Sequence, residues 1–367
     1  MHRFLSVVVA LCVLISTMGV GAVGAAGDHG GVAAAQVECE FPFTGTDATG
    51  EEVTIEEEPQ RVVAMQPSDA QTLWEIGARD KVVGMPVGQY TDYLEGHDEP
   101  EDITEDDGIT VSTERVIQLE PDLVVASSVA DEDQVEQLRD AGLTVYQFGP
   151  ETSIDDVIAN TETTGQLVGE CEGANESVEW MNQEIGAIEE AVEGEERPTV
   201  LYAMGDGFTA GQGTFIEEIV TTAGGENLGS TAEIEFYGQI SEEVVIEEDP
   251  DWIVYPDNFE EPPVSEQVLS ETTAGQENQV VAVDSNRMNQ PGPQVIYAID
   301  TLAETFHSDA YAAAQEGGEA NETDESGNET GGGDDSAGES GEDQPGFGIA
   351  AALAALVLAA FLFLRRR

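Results

Sequence analysis

The side chains of this chain best suited to chemistry are aromatics and a single guanidinium, and the chemistry they suit is capture. Tyr90 and Tyr93 stand close together in VGQYTDY, Phe208 lies in the glycine-rich run GDGFTAG, and Tyr237 and Tyr255 follow. Rings with a few polar handles suit a bulky organic ligand. Ser68 and Ser128 would supply hydroxyls. Arg287 is one of seven basic residues between the two ends of the chain, with Arg61, Arg79, Lys81, Arg115, Arg139 and Arg197. A guanidinium kept among so few cations suits a carboxylate or phosphate handle. Plainer roles stay open: each ring can pack in a core or rim, and Arg287 can pair with a nearby acid.

Catalytic and metal-ion chemistry have little to work with. The four histidines are His2, His29, His97 and His307, and HExxH, GxSxG and P-loop patterns are absent. Carboxylates are so abundant that a pair of them carries no information. These facts point away from an enzyme. A bare transition-metal binder needs His, Asp and Glu on several loops, so histidine poverty counts against that alternative. No cofactor is expected beyond whatever metal the ligand carries, and no protein metal site.

The elements that position these residues show through a duplication. VSTERVIQLEPDLVV at 111–125 and ISEEVVIEEDPDWIV at 240–254 align without a gap at an offset of 129, with seven of fifteen positions identical. In each copy a serine, Ser112 or Ser241, is placed to cap a helix, and Glu114 or Glu243 falls in its first turn. Pro-Asp then ends the helix and opens an apolar strand. Further strands are expected at Arg61–Gln66, Lys81–Met85, Leu143–Phe148, Thr199–Met204 and Gln279–Asp284. Helices are expected near 69–77, 131–141 and 214–224. This alternation predicts an α/β protein with parallel sheets and right-handed crossovers. A surface-layer or adhesion protein has no need of the duplication.

Residues 175–195 carry Val178, Met181, Ile185, Ile188 and Val192 at helical spacing. They predict one long helix joining lobe one (60–174) to lobe two (196–314), a stiff hinge. Loops at the carboxyl ends of parallel strands form the crevice that binds ligand. Those loops, including Gln66–Ser68, Pro86–Tyr93, Ser127-Ser128, Gly205–Gly211 and Ser285–Gln290, would face one another across a cleft between the lobes.

The ends are addresses. Residues 1–26 read as a signal peptide, with small residues Gly24–Gly27 suited to cleavage, followed by an N-terminal segment at 27–59. Residues 315–344 are an acidic, self-repelling linker. Residues 345–367 hold Pro-Gly-Phe, an apolar stretch from Gly346 to Leu364, and three arginines. Nineteen residues span about 28 Å as a helix, about one bilayer core. The terminal arginines would stay cytoplasmic and leave the body outside. The formal net charge of −65 excludes nucleic acid as an electrostatic partner. It fits a globular surface adapted to concentrated salt, where at about 1 M the Debye length is only about 3 Å. Cys39 and Cys171 remain after signal removal; an even pair in an oxidising compartment predicts a disulfide, with two free thiols the alternative. Acceptor sequons stand at Asn175, Asn321 and Asn328.

Two resemblances sharpen this reading. The tail resembles the archaeal PGF-CTERM sorting signal, which implies that an archaeosortase removes the helix and a lipid replaces it. Between about Gln60 and Thr305 the pieces RVVAMQPSDAQTLWEIGARDKVVG, VSTERVIQLEPDLVVAS, DQVEQLRDAGLTVY, FTAGQGTF and ISEEVVIEEDPDWIVY resemble the cobalamin and iron-siderophore binding proteins of ABC importers. That resemblance implies two α/β lobes joined by a long helix, a body acting as a monomer, and partners in an ABC permease and its ATPase. By position it implies that Glu114 and Glu243 dock on the permease, while simple helix capping would also explain both. It places Tyr90 and Tyr237 at ligand positions. A tryptophan typical of the family's first lobe is absent here, where the sequence reads EDDGITVS, so cobalamin, haem and iron chelates all stay open.

Overall fold

A computed structural model describes residues 39–314 of the chain. The signal peptide, the acidic linker, the Pro-Gly-Phe tail, Asn321 and Asn328 lie outside those residues.

Lobe one opens with an antiparallel hairpin of β1 (Phe43–Thr46) and β2 (Glu52–Ile55). The chain then runs β3 (Val62–Ala64), α1 (Pro67–Glu75), β4 (Val82–Met85), β5 (Glu101–Asp102), α2 (Thr113–Gln118), β6 (Leu123–Ala126), α3 (Glu132–Asp140) and β7 (Val145–Gln147). Five strands pair in parallel in the order β5-β4-β3-β6-β7. Burial follows the period of two that a strand imposes. Val62, Ala64, Leu123 and Val125 face one core, and Val63, Met65, Val124 and Ala126 face the other. Both faces are covered, which is why these strands read as continuous apolar runs.

Two helices follow, where 175–195 alone predicted one. α4 (Ile154–Val168) and α5 (Cys171–Val192) form an antiparallel hairpin, and each spans both lobes. Leu167, Val168 and Ala174 belong to the core of lobe one, while Ile154, Val157, Met181 and Ile188 belong to that of lobe two. Gly169, at φ 81°, ends α4 in the left-handed region. Gly165 lets the two helices close up: a Cβ there would stand 2.4 Å from that of Ala174. The connector is stiffer than a single helix because its two members brace each other. The bond between Cys39 and Cys171, with Cα atoms 5.6 Å apart, ties the start of the described chain to the first residue of α5. Lys81, the only lysine, closes the same corner through Glu58 at 2.8 Å and Glu170 at 2.7 Å.

Lobe two contains β8 (Thr199–Tyr202), β9 (Phe208–Ala210), α6 (Phe215–Thr222), β10 (Glu226–Asn227), α7 (Leu228–Thr231), β11 (Tyr237–Gln239), α8 (Glu242–Glu248), β12 (Trp252–Pro256), α9 (Glu266–Glu271), α10 (Thr273–Glu277), β13 (Val280–Val283), α11 (Ser285–Asn289) and α12 (Val295–Phe306). Its parallel sheet runs β10-β8-β12-β13, and β9 and β11 form a separate antiparallel pair.

The duplicated stretches occupy like surroundings. α2 leads into β6 beside β3, and α8 leads into β12 beside β8. Val116 and Val245 point into the cores. Glu120 (φ 46°) and Asp249 (φ 45°) take the same left-handed turn before the proline. The shared aspartates clamp the neighbouring strand: Asp122 accepts from the Gln60 and Arg61 amides at 2.9 Å, and Asp251 from the Thr199 amide at 2.8 Å. The serines differ. Ser241 caps α8 by accepting from Val244, whereas the Ser112 side chain makes no capping bond; its amide donates to Ile103 instead.

Candidate ligand-binding cleft

In both sheets the strand order reverses next to the duplicated strand, at β3/β6 and at β8/β12. Such a reversal opens a crevice beyond the carboxyl ends of the strands. The two crevices meet in one cleft of about 430 Å³. Lobe one contributes Ser68 after β3, Tyr90 after β4, Ser127 to Val129 after β6, and Glu151 after β7; lobe two contributes Phe236, Tyr237, Asn258, Asn289 and Gln290.

Four large apolar side chains are left uncovered there: Tyr90 at 39% exposure, Val129 at 75%, Phe236 at 59% and Tyr237 at 46%. Phe236 holds a left-handed backbone at φ 56°, rare for an aromatic, and is pinned by main-chain bonds to Gln212 and Gly211. Burial pushes the Tyr237 phenol up to about 12, so it remains an un-ionised hydrogen-bond donor. Ser127 is buried, yet its hydroxyl has no partner.

The acid side of the cleft belongs to lobe one. Glu151 accepts from the Ser128 hydroxyl at 3.2 Å and from the Asn160 amide at 2.9 Å, and burial nevertheless raises its carboxyl. Behind it Asp69, in the first turn of α1, accepts from the Ser127 and Gln66 amides. Burial holds Asp69 well above the usual carboxylate range despite those bonds, and the charge of Glu151 adds to the effect.

Of the seven side chains expected at the ligand, Ser68, Tyr90, Ser128 and Tyr237 line this cleft and three do not. Tyr93 bridges the lobes: its hydroxyl takes a bond from Gln71 at 2.7 Å and donates to Gln290 at 3.0 Å. Gln290 also donates to the Tyr90 carbonyl at 2.9 Å, and Gln294 donates to Glu75 at 2.7 Å. Phe208 opens β9 and lines a second hollow of about 610 Å³ beside α8. Arg287 turns away from the cleft, its guanidinium 4.6 Å over the Tyr297 ring and 3.7 Å from Asp284, the nearby acid that was its alternative. Cation–π attraction and that ion pair hold it there. Phe236, Val129, Ser127, Glu151, Asn289 and Gln290 escaped the sequence reading as individual residues, although most stand on or beside loops expected at the cleft.

Glu114 and Glu243 are exposed in the first turns of α2 and α8, on different lobes. Neither makes a capping bond. Glu114 accepts from Gln118 at 3.3 Å. Asn175 is half-buried within α5.

A family model described as periplasmic binding protein matches residues 62–287, more than half of the chain. The chain belongs to the periplasmic binding protein family. A PGF-CTERM motif matches residues 344–366 of this binding protein. It is 38% identical over 280 residues to a cobalamin-binding protein of Halobacterium salinarum, covering 74% of this chain and 75% of that one. It is 29% identical over 282 residues to an uncharacterized ABC transporter substrate-binding lipoprotein of Bacillus subtilis, covering 74% and 87%. Its fold is also that of a periplasmic heme-binding protein from Roseiflexus sp. RS-1 solved in apo form, with a TM-score of 0.61 at 22% identity, covering 68% of this chain and 99% of that one.

Proposed function

We propose that this binding protein captures a cobalamin-like molecule or an iron chelate between its lobes and delivers it to an ABC permease, with no chemical step of its own. The observation that carries the reading is the cleft: uncovered rings from both lobes line it among hydroxyls and amides. Such a lining is suited to a preformed site for a large organic molecule. The relatives named above support the same class of ligand. The stiff helical hairpin restricts the lobes to small adjustments around it.

Delivery would use Glu114 and Glu243, one on each lobe and neither engaged in capping. Their carboxylates would meet guanidinium groups on a permease dimer. The Pro-Gly-Phe tail would tether the body outside the cell, with an archaeosortase exchanging its apolar stretch for a lipid. The full chain incubated in concentrated salt with cyanocobalamin, haemin and ferric hydroxamate chelates, then passed through gel filtration, should retain one molecule of at least one of them per chain. Retention of none would overturn the reading.

A further inference from the structure

The ligand's charge is legible in the cleft. Its polar lining is built from hydroxyls and amides: Ser68, Ser127, Ser128, Asn258, Asn289 and Gln290. Glu151 is the one carboxylate among the lining side chains, and no Lys, Arg or His stands among them. Arg287 stands between the lining residues Asn286 and Asn289, but its guanidinium is held on Tyr297 and Asp284 instead. Glu151 is fixed in place by Ser128 and Asn160, with the Asp69 carboxyl behind it. A ligand bearing carboxylates or phenolates would therefore bring negative charge toward a carboxylate, with no cation among the lining side chains to offset it. An uncharged ligand with an amide- or hydroxyl-bearing periphery meets complementary groups among the polar lining, including the unpartnered Ser127 hydroxyl.

We infer that Glu151 selects the ligand by charge, so that the cleft takes an uncharged or cationic chelate and rejects an anionic one. The inference rests on the proposed capture of a metal chelate and narrows it. It differs from what scarce cations suggested in the sequence, where Arg287 stood ready for an anionic handle. A like charge about 6 Å away in a part-buried site costs on the order of 100-fold in affinity. Concentrated salt screens such a site less than it screens the open surface.

The test is equilibrium dialysis of the full chain in concentrated salt against two uncharged chelates, cyanocobalamin and ferrichrome, and two anionic ones, haemin and ferric citrate. The parent protein should prefer its best uncharged ligand over either anionic one by at least tenfold. In Glu151→Gln, which keeps the shape and can still accept from Ser128, that preference should narrow by about tenfold or more. An anionic chelate bound as well as or better than the uncharged pair overturns the charge inference and leaves the capture reading standing. A preference unchanged in Glu151→Gln removes the role of this residue. Failure of all four to bind removes both readings together. The parent measurement stands by itself should the variant fold poorly.

Discussion

Removing the ring of Tyr90 or Tyr237 should weaken ligand binding by an amount that the structure sets. A tyrosine side chain presents roughly 200 Å² when uncovered. At 39% and 46% exposure, about 80 Å² of Tyr90 and about 90 Å² of Tyr237 remain for a ligand to cover. At about 25 cal/mol per Å² that burial is worth about 2 kcal/mol for each ring. The figure is a ceiling, because ordering and desolvation offset part of it on binding. Realising half to all of it gives roughly 5- to 30-fold in Kd for Tyr90→Ala and for Tyr237→Ala, read by equilibrium dialysis in concentrated salt. Tyr90→Phe keeps the ring and should lose much less. The two rings share one ligand, so the double variant need not show the simple product of the single losses. Kd values within about twofold of the parent in both alanine variants would refute the assignment of these rings to the ligand.

Three further outcomes follow from the same structure. Glu114→Ala combined with Glu243→Ala should leave ligand affinity at the parent value and abolish uptake by cells; normal uptake would remove the docking assignment. Cys39→Ser opens a loop of 132 residues, which the chain-entropy relation values at about 5 kcal/mol, so denaturant unfolding should show a loss of about 2–5 kcal/mol; equal stability of parent and variant would contradict it. Asp300 is raised to about 6, chiefly by burial and then by Glu184 and Glu304. Its folded form therefore holds the proton more tightly than the unfolded chain does. The resulting penalty is absent below about pH 4 and grows until pH 6 is passed. Asp300→Asn should raise stability at pH 8 by about 1–2 kcal/mol after discounting for solvent, and change almost nothing at pH 3; a gain of equal size at both pH values would exclude the titration.

The skeleton of the fold was legible because buried parallel strands and a duplicated helix–strand unit leave strong local marks. RVVAMQ, TVLYAM and the paired Pro-Asp stretches all proved to be strands or strand starts, trimmed by a residue or two at their ends. The helix α4 was not read, because its buried face mixes Thr161, Thr164 and Gly165 with apolar residues, which blurs the helical period. The site was legible at the level of loops and less so at the level of side chains. Tyr90 was readable as an aromatic residue in a loop after a strand, and Tyr237 through the resemblance to the cobalamin-binding relatives. Glu151 was hidden among the chain's 76 acidic residues, where identity alone says nothing. Arg287 misled for the opposite reason: scarcity marks a cation without showing where it points, and Tyr297, ten residues on, decides that. Phe236 depends on a left-handed backbone set by pairing with Gln212, a contact with no local signature.

A crystal of the full chain grown with a bound cobalt or iron chelate, with data collected at the metal's absorption edge, would locate the cargo without ambiguity. One anomalous peak per chain is predicted between the lobes, with the chelate's organic shell against Tyr90, Phe236 and Tyr237 and no protein atom on the metal. A peak in the hollow beside Phe208, or a metal ion held by carboxylates with no organic shell, would contradict capture between the lobes.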